Sequence, residues 1–162
     1  MILGGTKLGL VENKLVQIGI DLPLPADPVA NYVPAVRVGD LLYLSGLGPA
    51  SKDDGTSFTG KVGSDLSLEE GYEAARLTCL SIIGRLKKEL GELDRVKRVV
   101  KLLGMVNSGP DFTDHPAVIN GCSDLLVEVF GDNGSHARSA VGVSGLPFDI
   151  PVEIEIIVEV SD

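Results

Sequence analysis

The residues from 137 to 160 constrain the fold of this chain most strongly. Two runs rich in β-branched residues, Ala137 to Ser144 and Val152 to Val160, are separated by a connection that contains glycine and proline. In the second run valine and isoleucine alternate with Glu153, Glu155 and Glu159. Successive side chains of a strand point to opposite faces of a sheet, so one face of this run belongs to the core and the other carries carboxylates. We therefore predict a C-terminal hairpin of two strands in a half-buried sheet.

Arg138 is the single charged residue of the first run. Because a guanidinium is always ionised, it needs either contact with solvent or a bound anion when it lies in an apolar strand. A half-buried sheet with a solvated acidic face would explain Glu153 without any function. The functional interpretation is a site in which Arg138 binds a substrate carboxylate and Glu153 transfers protons. The residues alone leave both interpretations open.

The rest of the chain predicts further strands and helices in an alternating order. Residues 48 to 66 are rich in glycine, serine and aspartate, and they predict a long, mobile surface loop. The order β, β, α, β, α, β, β predicts an α+β two-layer sandwich, in which two long helices cover one face of a mixed sheet. The predicted elements before Arg138 are a short helix within residues 8 to 18, strands at 34 to 38 and 41 to 46, a helix from the capping box of Ser67 and Glu70 to Gly91, a strand at 96 to 106 and a helix from Thr113 or Asp114 to Gly131.

Composition and charge limit the classes of function. A length of 162 residues with 44% hydrophobic residues predicts one domain, residues 1 to 162. The net charge of −9 disfavours nucleic acid, and the absence of a long apolar run predicts a cytoplasmic protein without a membrane span. Cys79 and Cys122 lack the spacing of metal ligands, and His115 and His136 form no recognisable triad. We therefore predict neither a metal nor a cofactor.

Two motifs resemble those of the RidA/YjgF family, small trimeric proteins whose active members are enamine/imine deaminases. The first is Arg-Ser-x-Val-x-Val-x-x-Leu-Pro followed by Val-Glu-Ile-Glu, between Arg138 and Glu155. The second runs from Tyr32 through a short Ala-Val strand and a Gly-Asp turn to a strand that ends in Ser45 and Gly46. The resemblance covers residues 31 to 160 within a core of 31 to 162, and residues 1 to 30 look like an N-terminal extension.

The resemblance implies a chorismate-mutase-like fold and a homotrimer with ligand clefts between its subunits. Apolar residues on both faces of several predicted strands agree with such an association, because a large exposed apolar patch is rare on a monomer. In this interpretation Glu153 is the catalytic acid and base, and Arg138 binds the carboxylate of a small substrate. The other implied substrate-binding residues are Tyr32, Ser45, Gly46 and Asn120.

Two residues depart from the family pattern. Leu47 stands where the family commonly has glutamine, and Ala140 stands where relatives often have cysteine. Asn120 and Gly121 also break a local rule, since both residues are unfavourable inside a predicted helix. A packing role for Asn120 is an alternative to ligand contact.

The first function that the resemblance implies is hydrolysis of reactive 2-imino or enamine acids to 2-keto acids and ammonia. The alternative is a binding module that holds a keto acid or another small carboxylate without turnover. A weaker alternative is an endoribonuclease or translation inhibitor, which the acidic charge and the scarcity of aromatic residues disfavour.

Overall fold

The structure is a computed structural model that describes residues 8 to 25 and 30 to 162. It confirms the predicted α+β class, with five strands in one sheet and three α-helices among these residues. Its elements in chain order are α1 (Leu10–Gln17), β1 (Ala35–Val38), β2 (Leu41–Leu47), α2 (Leu68–Leu90), β3 (Val96–Asn107), α3 (His115–Phe130), β4 (Ala137–Val143) and β5 (Val152–Val160). Single 3-10 turns lie at Leu93–Arg95, Gly131–Gly134 and Pro147–Asp149.

The strand order of the sheet is β1-β2-β5-β3-β4. Only β3 and β4 pair in parallel among the paired strands of the described chain, and the other neighbours are antiparallel. The predicted C-terminal hairpin is therefore wrong, because β3 lies between β4 and β5. Helix α3 joins β3 to β4 as a crossover between parallel neighbours, which leaves β4 at the edge of the sheet. The crossover through α2 connects β2 and β3, and β5 separates these two strands.

Helices α2 and α3 pack against each other and against the same face of the sheet. The predicted capping box of α2 is present: Ser67 Oγ accepts from the Glu70 amide at 3.1 Å, and a Glu70 carboxylate oxygen accepts from the Ser67 amide at 2.8 Å. Helix α3 begins after Asp114, but the side chain of this residue makes no capping hydrogen bond. The alternation predicted for β5 is confirmed, and its core-facing residues are Val152, Ile154, Ile156, Val158 and Val160.

The described part of the N-terminal segment packs on the core through α1. Leu15 is buried, and a carboxylate oxygen of Glu12 accepts from the Leu93 amide at 2.8 Å and from Lys87 Nζ at 2.5 Å. The carboxylate of Asp94 accepts from the amides of Leu10 and Val11, both at 2.8 Å, and so provides the helix with its N-terminal hydrogen bonds. Residues 1 to 7 and 26 to 29 of the predicted extension lie outside the described residues.

The segment from 48 to 66 contains neither a helix nor a strand, but it is not a surface loop throughout. Phe58 and Val62 are buried in the core. The Gly60 amide donates to the carbonyl of Asp149 at 2.8 Å, and the Val62 amide donates to the carbonyl of Asn107 at 2.9 Å. The prediction of a surface loop was therefore wrong for the second half of the segment, which Phe58 and Val62 anchor against the end of the sheet.

The face of the sheet opposite the helices, which we call the open face, has no covering layer among the described residues. Val36, Val38, Tyr43 and Val141 point to this face, and each side chain is at least 41% exposed. These residues place apolar surface on the open face from the edge strand β1 to the edge strand β4. None of the helices in residues 8 to 25 and 30 to 162 is long and apolar enough to cross a membrane.

Candidate functional site

Arg138 lies on the helix-covered face of the edge strand β4. It pairs with Leu102 of β3, a fully buried core residue, and directly paired residues of neighbouring strands share a face. Its Nη1 donates to Oδ1 of Asn120 at 2.8 Å and to Oγ of Ser123 at 3.1 Å. Asn120 and Ser123 lie three residues apart on α3, so their side chains share one face of the helix. The partly buried guanidinium is thus held between β4 and α3.

The remaining edge of this guanidinium is available to a ligand. The two hydrogens of Nη1 are directed at Asn120 and Ser123, whereas Nε and Nη2 donate to no acceptor among the described residues. No carboxylate of the described chain forms an ion pair with Arg138 either. Nε and Nη2 form a planar edge that can bind both oxygens of a carboxylate. The geometry therefore fits an anion site better than a structural ion pair.

The Asn120-Gly121 pair inside α3 has a physical reason for each residue. Asn120 orients Arg138, as described above, and its amide nitrogen has no acceptor among the described residues. Gly121 allows α2 and α3 to approach closely, because a Cβ atom at this position would lie 2.9 Å from the carbonyl carbon of Tyr72. The unfavourable helix propensity of the pair was therefore a signal of both the site and the helix contact.

Glu153 lies on the open face of the central strand β5. It pairs with Met105, which in turn pairs with Val141, so these three residues form a row across the open face. Burial, followed by the nearby Glu155 carboxylate, raises the pKa of the Glu153 carboxyl above its ordinary value. No hydrogen bond or ion pair to Glu153 is present within the described residues. A carboxyl whose pKa lies closer to neutral pH is suited to exchange protons with a bound molecule.

Gly46 makes room for the side chain of Glu153. A Cβ atom at Gly46 would lie 2.9 Å from Glu153 Cδ, which is closer than ordinary packing allows. The register between β2 and β5 shifts between Leu44 and Leu47, and such an irregularity re-aims the residues inside it. The structure therefore brings Gly46 and Glu153 together on the open face.

Ser45 fixes the segment that contains Tyr32. Its Oγ donates to the carbonyl of Val33 at 2.7 Å, and its amide donates to the carbonyl of Pro34 at 3.0 Å. Tyr32 is 51% exposed, and its hydroxyl has no hydrogen-bond partner among the described residues. The Ser45 hydroxyl is thus used by the backbone, and the Tyr32 ring is accessible beside the start of β1.

The predicted site residues form two separate groups in one chain. Arg138 and Asn120 lie on the helix-covered face at the β4 edge, whereas Gly46 and Glu153 lie on the open face near the centre of the sheet. The sheet itself therefore lies between the side chains of Arg138 and Glu153.

The two positions that depart from the family pattern are apolar and partly buried. Leu47 pairs with Ile154, and Ala140 pairs with Gly104; both side chains pack against the core. Neither position supplies a polar group to the two site groups. Ser123, which contacts Arg138 directly, was missed in the sequence because a serine in a helix carries no signal of its own.

No group of three or more histidine, cysteine, aspartate or glutamate side chains within the described residues could hold a metal ion. A groove of about 560 Å³ lies between residues 22 to 25 and helix α2, and none of the predicted site residues lines it.

Comparison with known proteins identifies the family. The family model described as "YjgF/chorismate mutase-like, putative endoribonuclease" matches residues 12 to 159. The solved structure of a "putative endoribonuclease" from Shewanella oneidensis is 34% identical to this chain in sequence, and the two structures superpose with a TM-score of 0.88. The match covers 94% of this chain and 100% of that one.

Two relatives with curated names cover nearly the whole chain. Protein TCP17 of Trypanosoma cruzi is 46% identical over 155 residues, which are 95% of this chain and 96% of the relative. The 2-iminobutanoate/2-iminopropanoate deaminase of Dermatophagoides farinae is 27% identical over 142 residues, 88% of this chain and 95% of the relative. The relative with the higher identity carries no activity in its name, whereas the more distant one is named as a deaminase.

Proposed function

The chain belongs to the YjgF/chorismate mutase-like family, and from this premise we propose that it hydrolyses reactive 2-imino or enamine acids to 2-keto acids and ammonia. The observation that carries the proposal is the guanidinium of Arg138, whose Nε and Nη2 have no protein acceptor among the described residues. A substrate of this class has one carboxylate, which matches that edge. The deaminase of Dermatophagoides farinae supports the reaction class at 27% identity.

In the proposed reaction Arg138 holds the substrate carboxylate and Glu153 moves protons. An enamine accepts a proton from the Glu153 carboxyl at its carbon and becomes an iminium ion; water then adds to the iminium carbon. Glu153 takes a proton from that water and passes it to the departing nitrogen, so that ammonia leaves, while the hydroxyl of the intermediate returns its proton to Glu153 and a 2-keto acid remains. The raised pKa of the Glu153 carboxyl favours both steps, because the same group must accept and donate a proton near neutral pH.

We also propose that the active form is a homotrimer with its clefts between subunits. Arg138 and Glu153 lie on opposite faces of the sheet, and association of subunits is the simplest way to bring them to one ligand. The exposed apolar residues of the open face favour burial against another copy of the chain. A cytoplasmic location stays a prediction from the sequence.

The proposal is tested by measuring ammonia and 2-keto acid release from freshly generated imines of several amino acids. The wild-type protein should accelerate this release, and Arg138→Ala and Glu153→Gln should each abolish the acceleration. Arg37→Ala is a matched control, since Arg37 lies on the opposite edge strand and binds the exposed Asp162 at 2.7 Å. Equal rates with and without wild-type protein would rule out the deaminase function for these substrates.

Leu47 and Ala140 support a second candidate, a module that binds a keto acid without turnover. Both positions are apolar here, so the site lacks an amide and a thiol that relatives often have. Saturable binding of 2-oxobutanoate that requires Arg138, together with no imine hydrolysis, would identify this function. RNA cleavage is disfavoured, because a net charge of −9 opposes binding through phosphates.

A further inference from the structure

A chain of hydrogen bonds extends from Arg138 into the protein. Ser123 Oγ lies 3.1 Å from Nη1 of Arg138 and 3.0 Å from Nε2 of His136. Nδ1 of His136 lies 2.6 Å from the carbonyl oxygen of Gly134. His136 thus stands behind the guanidinium, one residue before β4 begins, and it does not contact the edge that is available to a ligand.

The direction of each bond follows from the chemistry of its end groups. A carbonyl oxygen cannot donate, so Nδ1 of His136 must carry a hydrogen and donate it to Gly134. In neutral His136 Nε2 is then an acceptor, and the Ser123 hydroxyl donates its hydrogen to it. The lone pairs of Ser123 Oγ are therefore turned toward the guanidinium of Arg138. The imidazole thus fixes the orientation of a hydroxyl that would otherwise rotate or bond back to its own helix.

Gly134, which stands at the inner end of these hydrogen bonds, lies in a turn that packs closely on helix α3. Gly134 is buried, and a Cβ atom at this position would lie 2.8 Å from the Val127 amide nitrogen, so the turn packs directly on the backbone of α3. Asn120 and Ser123 lie on the same helix. The orientation of His136 is consequently tied to the helix that also carries both partners of Arg138.

We propose that His136 is a positioning residue, which acts through Ser123 to orient the Arg138 guanidinium for side-on binding of a carboxylate by Nε and Nη2. With Asn120 and Ser123 both engaged on Nη1, rotation about the Nε–Cζ bond is restricted, and the free edge is presented in one direction. The role of His136 in turnover rests on the proposed deaminase function, whereas its effect on the orientation of the Arg138 guanidinium does not.

The first test measures rotation of the guanidinium by ¹⁵N NMR in the ligand-free protein. In the wild type the Nη signals of Arg138 should be separate, because rotation about Nε–Cζ is slow. They should merge in His136→Phe, which keeps a ring but has no nitrogen, and in Ser123→Ala. His136→Gln should restore the separation, since its amide oxygen can accept from Ser123. Equal rotation in the wild type and in folded His136→Phe would overturn the proposal.

The second test measures affinity and turnover with the same variants. His136→Phe should weaken binding of 2-oxobutanoate and raise KM for 2-iminobutanoate about fivefold, with kcat nearly unchanged, because orientation of Arg138 serves ground state and transition state alike. His136→Gln should recover most of this loss. His115→Phe is the matched control: His115 bonds the hydroxyl of Ser108 at 3.0 Å, and neither residue is among the hydrogen-bond partners of Arg138 in the described part of the chain. A loss of the same size in His115→Phe would contradict a specific role of His136.

The two tests distinguish this inference from the proposed function. If the wild type neither binds 2-oxobutanoate nor hydrolyses the imine, the proposed function is rejected, and the rotation of Arg138 still decides the role of His136. Full turnover with unchanged rotation and unchanged KM in His136→Phe would reject the positioning role and leave the function intact.

Discussion

The guanidinium of Arg138 is held by an amide and a hydroxyl, and this choice of partners leaves its positive charge without a carboxylate among the described residues. Asn120 and Ser123 fix the geometry of the group but neutralise nothing. A partly buried charge of this kind is stabilised by an anion from outside the chain. No ion pair within the described residues depends on Arg138. Its replacement should therefore change the affinity for a ligand without changing the fold.

We therefore expect Arg138→Ala to abolish binding of small carboxylates without unfolding the protein. The loss should be on the order of 2 to 4 kcal/mol of binding free energy, as for one partner of a desolvated charge pair. Arg138→Lys should recover only part of it, because an ammonium cannot offer two parallel donors. Calorimetric titration with 2-oxobutanoate measures the affinity, and circular dichroism measures the fold. Unfolding of Arg138→Ala, with unchanged affinity in the folded remainder, would show a structural role instead.

Glu153 should be a source of instability as well as of reactivity. Its pKa is raised in the folded chain, so the stability of the wild type falls as the pH rises from the ordinary carboxyl pKa of about 4.3 through the folded value. Glu153→Gln has no such loss. It should abolish turnover and raise the melting temperature at pH 7, and this gain should disappear near pH 3, which lies below the ordinary carboxyl pKa and where the group is largely protonated in both states.

Glu159→Gln is the control for this effect. Glu159 lies on the same face of β5 and pairs with Lys97 at 3.8 Å, so its replacement should not increase stability at pH 7. Equal gains in both variants would attribute the effect to net charge rather than to the burial of Glu153.

At this scale the motif residues were predictable and their supporting residues were not. Arg138 stands out because it is the single charged residue of its strand, whereas Glu153 alternates with apolar residues as Glu155 and Glu159 do and was indicated only by the motif resemblance. Ser123 and Asp94 carry no local signal, since their importance comes from contacts with β4 and α1 that only the folded chain creates.

Among the elements, α1 depends on contacts outside itself. A helix of eight residues is too short to be stable alone, and its N-cap residue Gly9 offers no side-chain hydrogen bond. The carboxylate of Asp94 supplies both the missing acceptors and a negative charge at the helix N-terminus. The N-terminal segment is therefore anchored by a residue of the turn between α2 and β3.

Removal of this anchor should release α1 selectively. We expect Asp94→Ala to cost about 1 kcal/mol of stability, as for loss of an N-terminal cap, and to speed hydrogen exchange of the α1 amides. Exchange in the sheet should change little. Asp54→Ala is the control, because Asp54 bonds only Thr56 within its own loop among the described residues. Unchanged exchange in α1 of Asp94→Ala would show that Leu15 and Glu12 suffice to hold the helix.

The segment from 48 to 66 should divide into two halves in hydrogen exchange. The amides of Gly60 and Val62 donate to carbonyls at the end of the sheet and should be protected. The amides from 51 to 57 have only local partners, such as the Thr56 amide on Asp54 at 2.9 Å, and should exchange quickly. Mass spectrometry of peptides on either side of Phe58 measures the difference. Equally fast exchange in both peptides would mean that the second half is not anchored.

The sequence predicted the elements better than their pairing. Capping box and alternating residues are local signals, and the bounds of α2 and β5 followed from them. Which strand lies beside which depends on helix packing over the whole sheet, so the neighbours of β4 and β5 were assigned wrongly. Glycine and proline between two strands indicate a break in the chain direction, but they do not show that the strands pair.

For the whole molecule, the decisive feature is that the sheet separates the two groups of site residues. Arg138 and Asn120 face the helices, and Gly46 and Glu153 face away from them. A site made of the Arg138 group alone would bind a carboxylate but have no proton donor. A site made of the Glu153 group alone would have a reactive carboxyl but no residue that holds the substrate. We propose that an assembly of identical chains brings the anchor of one copy to the carboxyl of the next without changing the fold.

This arrangement predicts that two inactive variants complement each other. Arg138→Ala retains Glu153, and Glu153→Gln retains Arg138, so a cleft shared between one copy of each can contain both native residues. After dissociation and reassembly of an equal mixture, about a quarter of the clefts should be native, and the mixture should show about a quarter of wild-type activity in the imine hydrolysis assay. Each variant reassembled alone should stay inactive, and light scattering should give the mass of a trimer in every sample. If the mixture forms trimers but stays inactive, both residues act within one chain, and the separation of Arg138 from Glu153 by the sheet would then have to be overcome by a rearrangement of β4.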